Sequence, residues 1–100
     1  MDMKNMMKQA RKMQAELEKA QEEVALLTAE ASAGGGVVKA TASGDNRIQS
    51  IHIDPSAVDP DDVEMLEDLV LAAVNDALTQ VAELANIRMN AVTGDMRLPF

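Results

Sequence analysis

The chain has no cysteine, tryptophan or tyrosine, one aromatic residue, Phe100, and one histidine, His52. Without thiols there is no disulfide, no cysteine nucleophile and no thiolate metal site, and the composition suits a reducing cytoplasm. No apolar run approaches the roughly 18 residues that a membrane helix needs, and the first residues lack the apolar stretch of a secretory leader. A soluble, cytoplasmic protein is expected. Aromatic rings cannot fill the interior either, although 47% of the residues are hydrophobic. The core is therefore expected to consist of Ala, Val, Leu, Ile and Met, and at 100 residues it is modest, which favours burying further surface in a dimer. No linker, repeat or low-complexity tract divides the sequence, so one domain over residues 1–100 is expected.

Cations are scarce as well: Lys and Arg number 9 against 17 Asp and Glu, a net charge of -8. An acidic body repels phosphate at long range, but the cations that exist are gathered. Lys4, Lys8, Arg11 and Lys12 against Asp2 give the first fifteen residues +3, which leaves -11 on the rest.

From Met3 to Leu27 the apolar residues fall at Met3, Met6, Ala10, Met13, Leu17, Ala20, Val24 and Leu27, alternating steps of three and four. This is a heptad seam without Gly or Pro, and it predicts a helix from about Asp2 to Leu27. Thr28 to Ala33 reads two ways, because alanines favour helix while the alternation of Thr28, Glu30 and Ser32 with alanine suits a short strand. Gly34, Gly35 and Gly36 end that stretch. Val37 to Ser43 alternates, with Val38, Ala40 and Ala42 on one face and Lys39, Thr41 and Ser43 on the other, as a half-buried strand should. After a turn at Gly44-Asp45-Asn46, a strand from Arg47 to Asp54 aligns Ile51 with Ile53. Ile48 fits only if a bulge lies near Gln49 or Ser50. Asp59 then reads as the N-cap of a second helix, Pro60 to Val92, with Pro60 at its first position. Its stripe of Val63, Leu66, Val70, Ala73, Ala77, Val81 and Leu84, widened by Leu69, Val74, Leu78 and Ala85, is broad enough to cover a sheet and touch another helix. The second helix, about 50 Å long, exceeds the width of a compact domain of this mass, so part of it must project. Antiparallel packing would bring Arg88 to the same distal end as Lys4, Lys8, Arg11 and Lys12.

Those four cations crowd one side of the first helix, where they repel one another and oppose the helix dipole. Stability alone does not favour this arrangement, whereas contact with a nucleic-acid backbone does. A solvated helix face is the blander alternative. Five of the eight methionines lie in the first thirteen residues, and packing in the core or a dimer contact is expected of them rather than metal binding. His52 has no partner for catalysis in the sequence pattern. Asp59, Asp61, Asp62 and Glu64 lack the loop of a calcium site and read as helix capping. The three glycines are not followed by the Lys-Ser or Lys-Thr of a nucleotide loop. No catalytic residue, metal or cofactor is expected.

Taken together, MKQARKMQAELEKAQEE, SAGGGVVKA, IHIDPSAVDPDDVEMLEDLVLAAVNDAL and the closing Thr93-Gly94 and Leu98-Pro99 pairs resemble the YbaB/EbfC family of nucleoid-associated DNA-binding proteins from end to end. The resemblance implies an α+β fold of order α-β-β-β-α, a helix, a three-stranded antiparallel sheet and a long C-terminal helix in two layers, with the first strand near Thr28 to Ala33. It also implies a bacterial, non-enzymatic homodimer whose projecting helices resemble tweezers and engage double-stranded DNA in the nucleoid. Carried over by position, the DNA-binding residues would be Lys4, Lys8, Arg11, Lys12 and Arg88, with Lys39 on the strand as a further member. The sequence departs from the family pattern at Thr79-Gln80 and Ile87, where charged residues are more usual. With no motif that reads bases, contacts chiefly to phosphates are expected. The rival expectation is an adaptor for recombination or replication proteins, gripped by the same helices, with incidental DNA contact.

Overall fold

The computed structural model describes residues 2–94 and places the elements in the order α1 (Met3–Leu26), β1 (Thr28–Ala33), β2 (Val38–Ser43), β3 (Arg47–Ile53), a single 3₁₀ turn (Pro55–Ala57) and α2 (Val63–Gly94). The Leu98-Pro99 pair lies outside the described residues. The strands form an antiparallel sheet in the order β1-β2-β3. The molecule is elongated, 73 × 25 × 16 Å.

Thr28–Ala33 is a strand, as the family resemblance implies and against the helix that local preference alone would give. Its alternate residues Ala29 and Ala31 are buried against α2, and that tertiary contact overrides the local preference. Between β1 and β2 the chain turns through Gly34, Gly35 and Gly36, all at positive φ. At Gly34 an added Cβ would sit 2.9 Å from Val37 Cγ2 and 3.0 Å from Leu69 Cδ2, so the turn needs both the conformation and the missing side chain.

The irregularity expected in β3 is present. Thr41 faces Ser50 and Ala42 faces Ile48, which leaves Gln49 as the extra residue and returns Ile48 to the face of Ile51 and Ile53. Ser43 departs from its expected place on the outward face: it is buried, because its hydroxyl donates to the Asp45 carboxylate and to the Arg47 carbonyl and so closes the hairpin from within.

The start of α2 also differs from the expectation. Asp59 is not its cap; its carboxylate accepts from the Asp61 N–H at 2.9 Å, a local turn around Pro60. Asp62 takes the capping position, accepting from the Met65 N–H at 3.2 Å, and the helix begins at Val63.

α2 lies across β1 and β2 and barely touches β3. Beneath it the core consists of Ala29, Ala31, Val38, Ala40, Ala42, Ala73, Ala77 and Val81, bordered by half-buried Leu66, Leu69, Val70, Val74 and Leu78. Small side chains on both surfaces let helix and sheet approach closely. Among the described residues no methionine belongs to this core, which was expected to include it; Met3, Met6, Met7, Met13 and Met65 are exposed, which leaves the expected alternative of a dimer contact.

Candidate nucleic-acid interface

α1 leaves the sheet at a rigid joint. The Gly44 N–H donates to the Leu27 carbonyl at 2.8 Å, and a Cβ on Gly44 would lie 1.7 Å from the Val24 carbonyl oxygen. Backbone therefore meets backbone where the arm joins the hairpin. Above the joint α1 runs beside α2, with Ala20 buried and Leu17, Val24 and Leu27 half-buried.

Arg88 fixes the relation of the two helices. Its guanidinium donates to the Glu23 carboxylate, from Nε at 2.7 Å and again from Nη2, with both side chains about half exposed. Further out, Ala91 and Val92 border a small polar notch with Glu16 and Lys19. The described part of α2 thus ends beside the middle of α1, and the segment of α1 before about Met13 extends beyond it.

This placement corrects the expectation for Arg88. It does not share the distal end with the other cations: Lys12 lies about 16 Å further along the axis than Glu23, and the Arg88 charge is directed at that carboxylate. Arg88 thus packs about three helical turns short of Lys12. Lys39 is not at the tip either. It lies on the open face of the sheet, between Ser32 on β1 and His52 on β3, at the opposite end of the arm.

Lys4, Lys8, Arg11 and Lys12 are brought together. Asp2 caps the helix, accepting from the Lys4 N–H at 3.0 Å. At about 100° per residue the four side chains occupy a single arc of roughly 100°, while Met13, Met6, Ala10, Met3 and Met7 fill another of about 120° beside it. All four cations are exposed, and among the described residues none is paired with a carboxylate; the ion pairs there are Arg88 with Glu23 and Arg47 with Asp45. The tip is a helix with one basic face and one apolar face, held away from the acidic body.

A second uncovered surface lies at the other end. Because α2 leaves β3 exposed, an apolar groove of about 460 Å³ opens between Ile53, Leu66, Val70, Leu71 and Val74, with Glu67 at its edge. Leu71 is 59% exposed and Ile51 46%. Periodicity could flag these residues as apolar but not as uncovered, since that depends on where α2 crosses the sheet. Among the described residues no cluster of His, Cys, Asp or Glu could hold a metal ion, and no helix is long and apolar enough to cross a membrane.

A small-residue α+β body carrying a charge-segregated helical arm has the form of a binding module. The chain belongs to the YbaB/EbfC DNA-binding family, whose model matches residues 1–96. It is 57% identical over 98 residues to a nucleoid-associated protein of Moorella thermoacetica, an alignment covering 98% of this chain and 94% of the other. To a nucleoid-associated protein of Ruminiclostridium cellulolyticum it is 52% identical over 95 residues, 95% of this chain and 83% of the other. The crystal structure of an uncharacterized protein from Helicobacter pylori shares the fold, with a TM-score of 0.72 at 24% identity, covering 92% of this chain and 98% of that one.

Proposed function

We propose that the protein is a nucleoid-associated, homodimeric DNA-binding protein of the bacterial cytoplasm that grips duplex DNA through the basic tips of its projecting α1 helices, chiefly by phosphate contacts. The observation that carries this reading is the arc of four exposed cations, Lys4, Lys8, Arg11 and Lys12, free of carboxylate partners among the described residues. Such an arc releases counterions when it meets a phosphate backbone. The acidic body does not prevent this, because screening confines its repulsion to a Debye length of about 8 Å at physiological salt. Family membership and the names of the relatives support the same reading.

The dimer is supported by the groove of Ile53, Leu66, Val70, Leu71 and Val74, an apolar surface on the body away from the tip of the arm. A second copy seated there would leave both arms pointing outward. Arg88 is a support for the arm in this reading, and Lys39 a remote contact at most.

The test is duplex binding across a salt series for the native protein and a variant with Lys4, Lys8, Arg11 and Lys12 replaced by Gln. The slope of log affinity against log salt should fall by about 0.9 for each phosphate that the variant no longer neutralises, while sedimentation still reports a dimer. An unchanged slope would remove these residues from the interface, and a native protein that sediments as a monomer at micromolar concentration would remove the paired arms.

A further inference from the structure

The apolar arc of the tip has no role in phosphate contact, yet it is ordered as a contact surface. Met3, Met6, Ala10 and Met13 continue the three-four seam whose lower half, Leu17, Ala20, Val24 and Leu27, is half or fully buried. Along the upper half that cover is gone: Met3 is 75% exposed, Met6 52% and Met13 38%.

The residues around the seam indicate what it takes. In a paired helix the positions flanking the seam decide which partner is tolerated, while the outer positions remain in water. Within the helix the upper half is flanked by Met7, Gln9 and Gln14, all uncharged, with the Asp2 cap as the one charged flank before its first turn, and Lys4, Lys8, Arg11 and Lys12 all fall at outer positions. Lower down, the flanking residues are Glu16, Gln21 and Glu23, and Glu23 is the one that meets Arg88 of α2. Among the described residues one flank thus carries Glu16 and Glu23 where the seam meets α2 and its Arg88, and is Gln9 where the seam runs beyond α2. A neutral flank suits a partner identical to itself, since no like charges would be placed face to face.

We infer that the tip is a self-pairing surface: when DNA gathers several copies, the Met3–Met13 segments of neighbouring molecules pack together through this seam and leave their basic arcs turned outward to phosphate. The segment spans less than two heptads, too short to pair in free solution. The cations of two tips also repel until phosphate neutralises them. Both features make the pairing conditional on DNA, which supplies the local concentration. The inference rests on the DNA-binding reading and adds a cooperative step to it.

The absence of cysteine gives a clean test. Met6→Cys and Ala10→Cys place single thiols in the seam, and Ala15→Cys places one at an outer position of the same helix. Each full-length protein is treated with a short bismaleimide with and without a mixed-sequence duplex, and duplex binding is measured on the same samples. Cross-linking between copies should rise roughly tenfold or more on DNA for the seam variants and stay low for Ala15→Cys. In parallel, a Met6→Gln, Met13→Gln variant should bind duplex non-cooperatively with the affinity of an isolated molecule retained. DNA binding without preferential seam cross-linking overturns the inference and leaves the DNA reading standing; failure to bind duplex at all overturns both. Full cross-linking of the seam variants in the absence of DNA also overturns it, since the pairing would then belong to the resting oligomer.

Discussion

The two halves of α1 carry one sequence pattern and meet different fates. From Leu17 to Leu27 the seam is packed on α2 and tied to the hairpin, whereas from Met3 to Met13 the same spacing continues into solvent. Composition marks the change: the lower half pairs Leu, Val and Ala with Glu16, Gln21 and Glu23 at its flanks, while the upper half, beyond the Asp2 cap, pairs Met and Ala with Met7, Gln9 and Gln14 and keeps its cations outside. A periodic apolar stripe therefore establishes that a helix face is made for contact but does not establish contact with what. The partner is read from the residues beside the stripe and from where the neighbouring helix ends.

The sharpest way to break this contrast is at the joint between body and arm. Gly44→Ala drives a methyl group into the Val24 carbonyl, a backbone atom that cannot turn aside. The loss of stability should be about 3 kcal/mol or more, at the upper end for an overpacked site, measured by urea denaturation. A loss under about 1 kcal/mol would show that the joint yields.

Val81→Ala, in the buried stripe under α2, should cost about 2 kcal/mol through reduced burial and the cavity left behind. Met6→Ala at the tip should change stability by less than about 0.5 kcal/mol, as exposed positions do. Equal costs for the two would mean that the tip is packed in the isolated chain. Next in size is the link between the two helices. A double-mutant cycle of Arg88→Gln with Glu23→Gln should return a coupling of about 0.5–1 kcal/mol, since both side chains are half exposed and screened. A salt slope for DNA that fell with Arg88→Gln as much as with a tip lysine would return Arg88 to the interface.

Much of this architecture is legible in the residues. The seam gives α1, the alternation of Val38, Ala40 and Ala42 gives β2, and the out-of-phase Ile48 gives the bulge at Gln49. Thr28–Ala33 is not legible in local preference, because its strand character comes from burying Ala29 and Ala31 under a helix more than thirty residues away in sequence. The cap of α2 is ambiguous in the sequence because Asp59 and Asp62 are equally good caps by type, and only the turn around Pro60 separates them. At the tip, the clustering of four cations follows from helix geometry alone. The position of Arg88 does not, because it depends on the register between two helices, which the periodicity of each leaves open.

The smallest expected effect concerns the turn between β3 and α2. The Asp54 carboxylate accepts a hydrogen bond from the Ser56 N–H at 2.9 Å. That bond, with help from the Ser56 side chain and from His52, holds the carboxyl below its ordinary value, against a small opposing effect of burial. A carboxyl lowered in the folded state stabilises the fold above the unfolded value, and the contribution is lost as pH falls through the folded value. The window is therefore acidic, below about pH 4. Wild type should melt slightly above Asp54→Ala at neutral pH, and the gap should close on acidification through that window. A gap that persists in acid would mean that Asp54 acts through packing rather than through its charge, and the carboxylate cap would then be no part of what ends the strand.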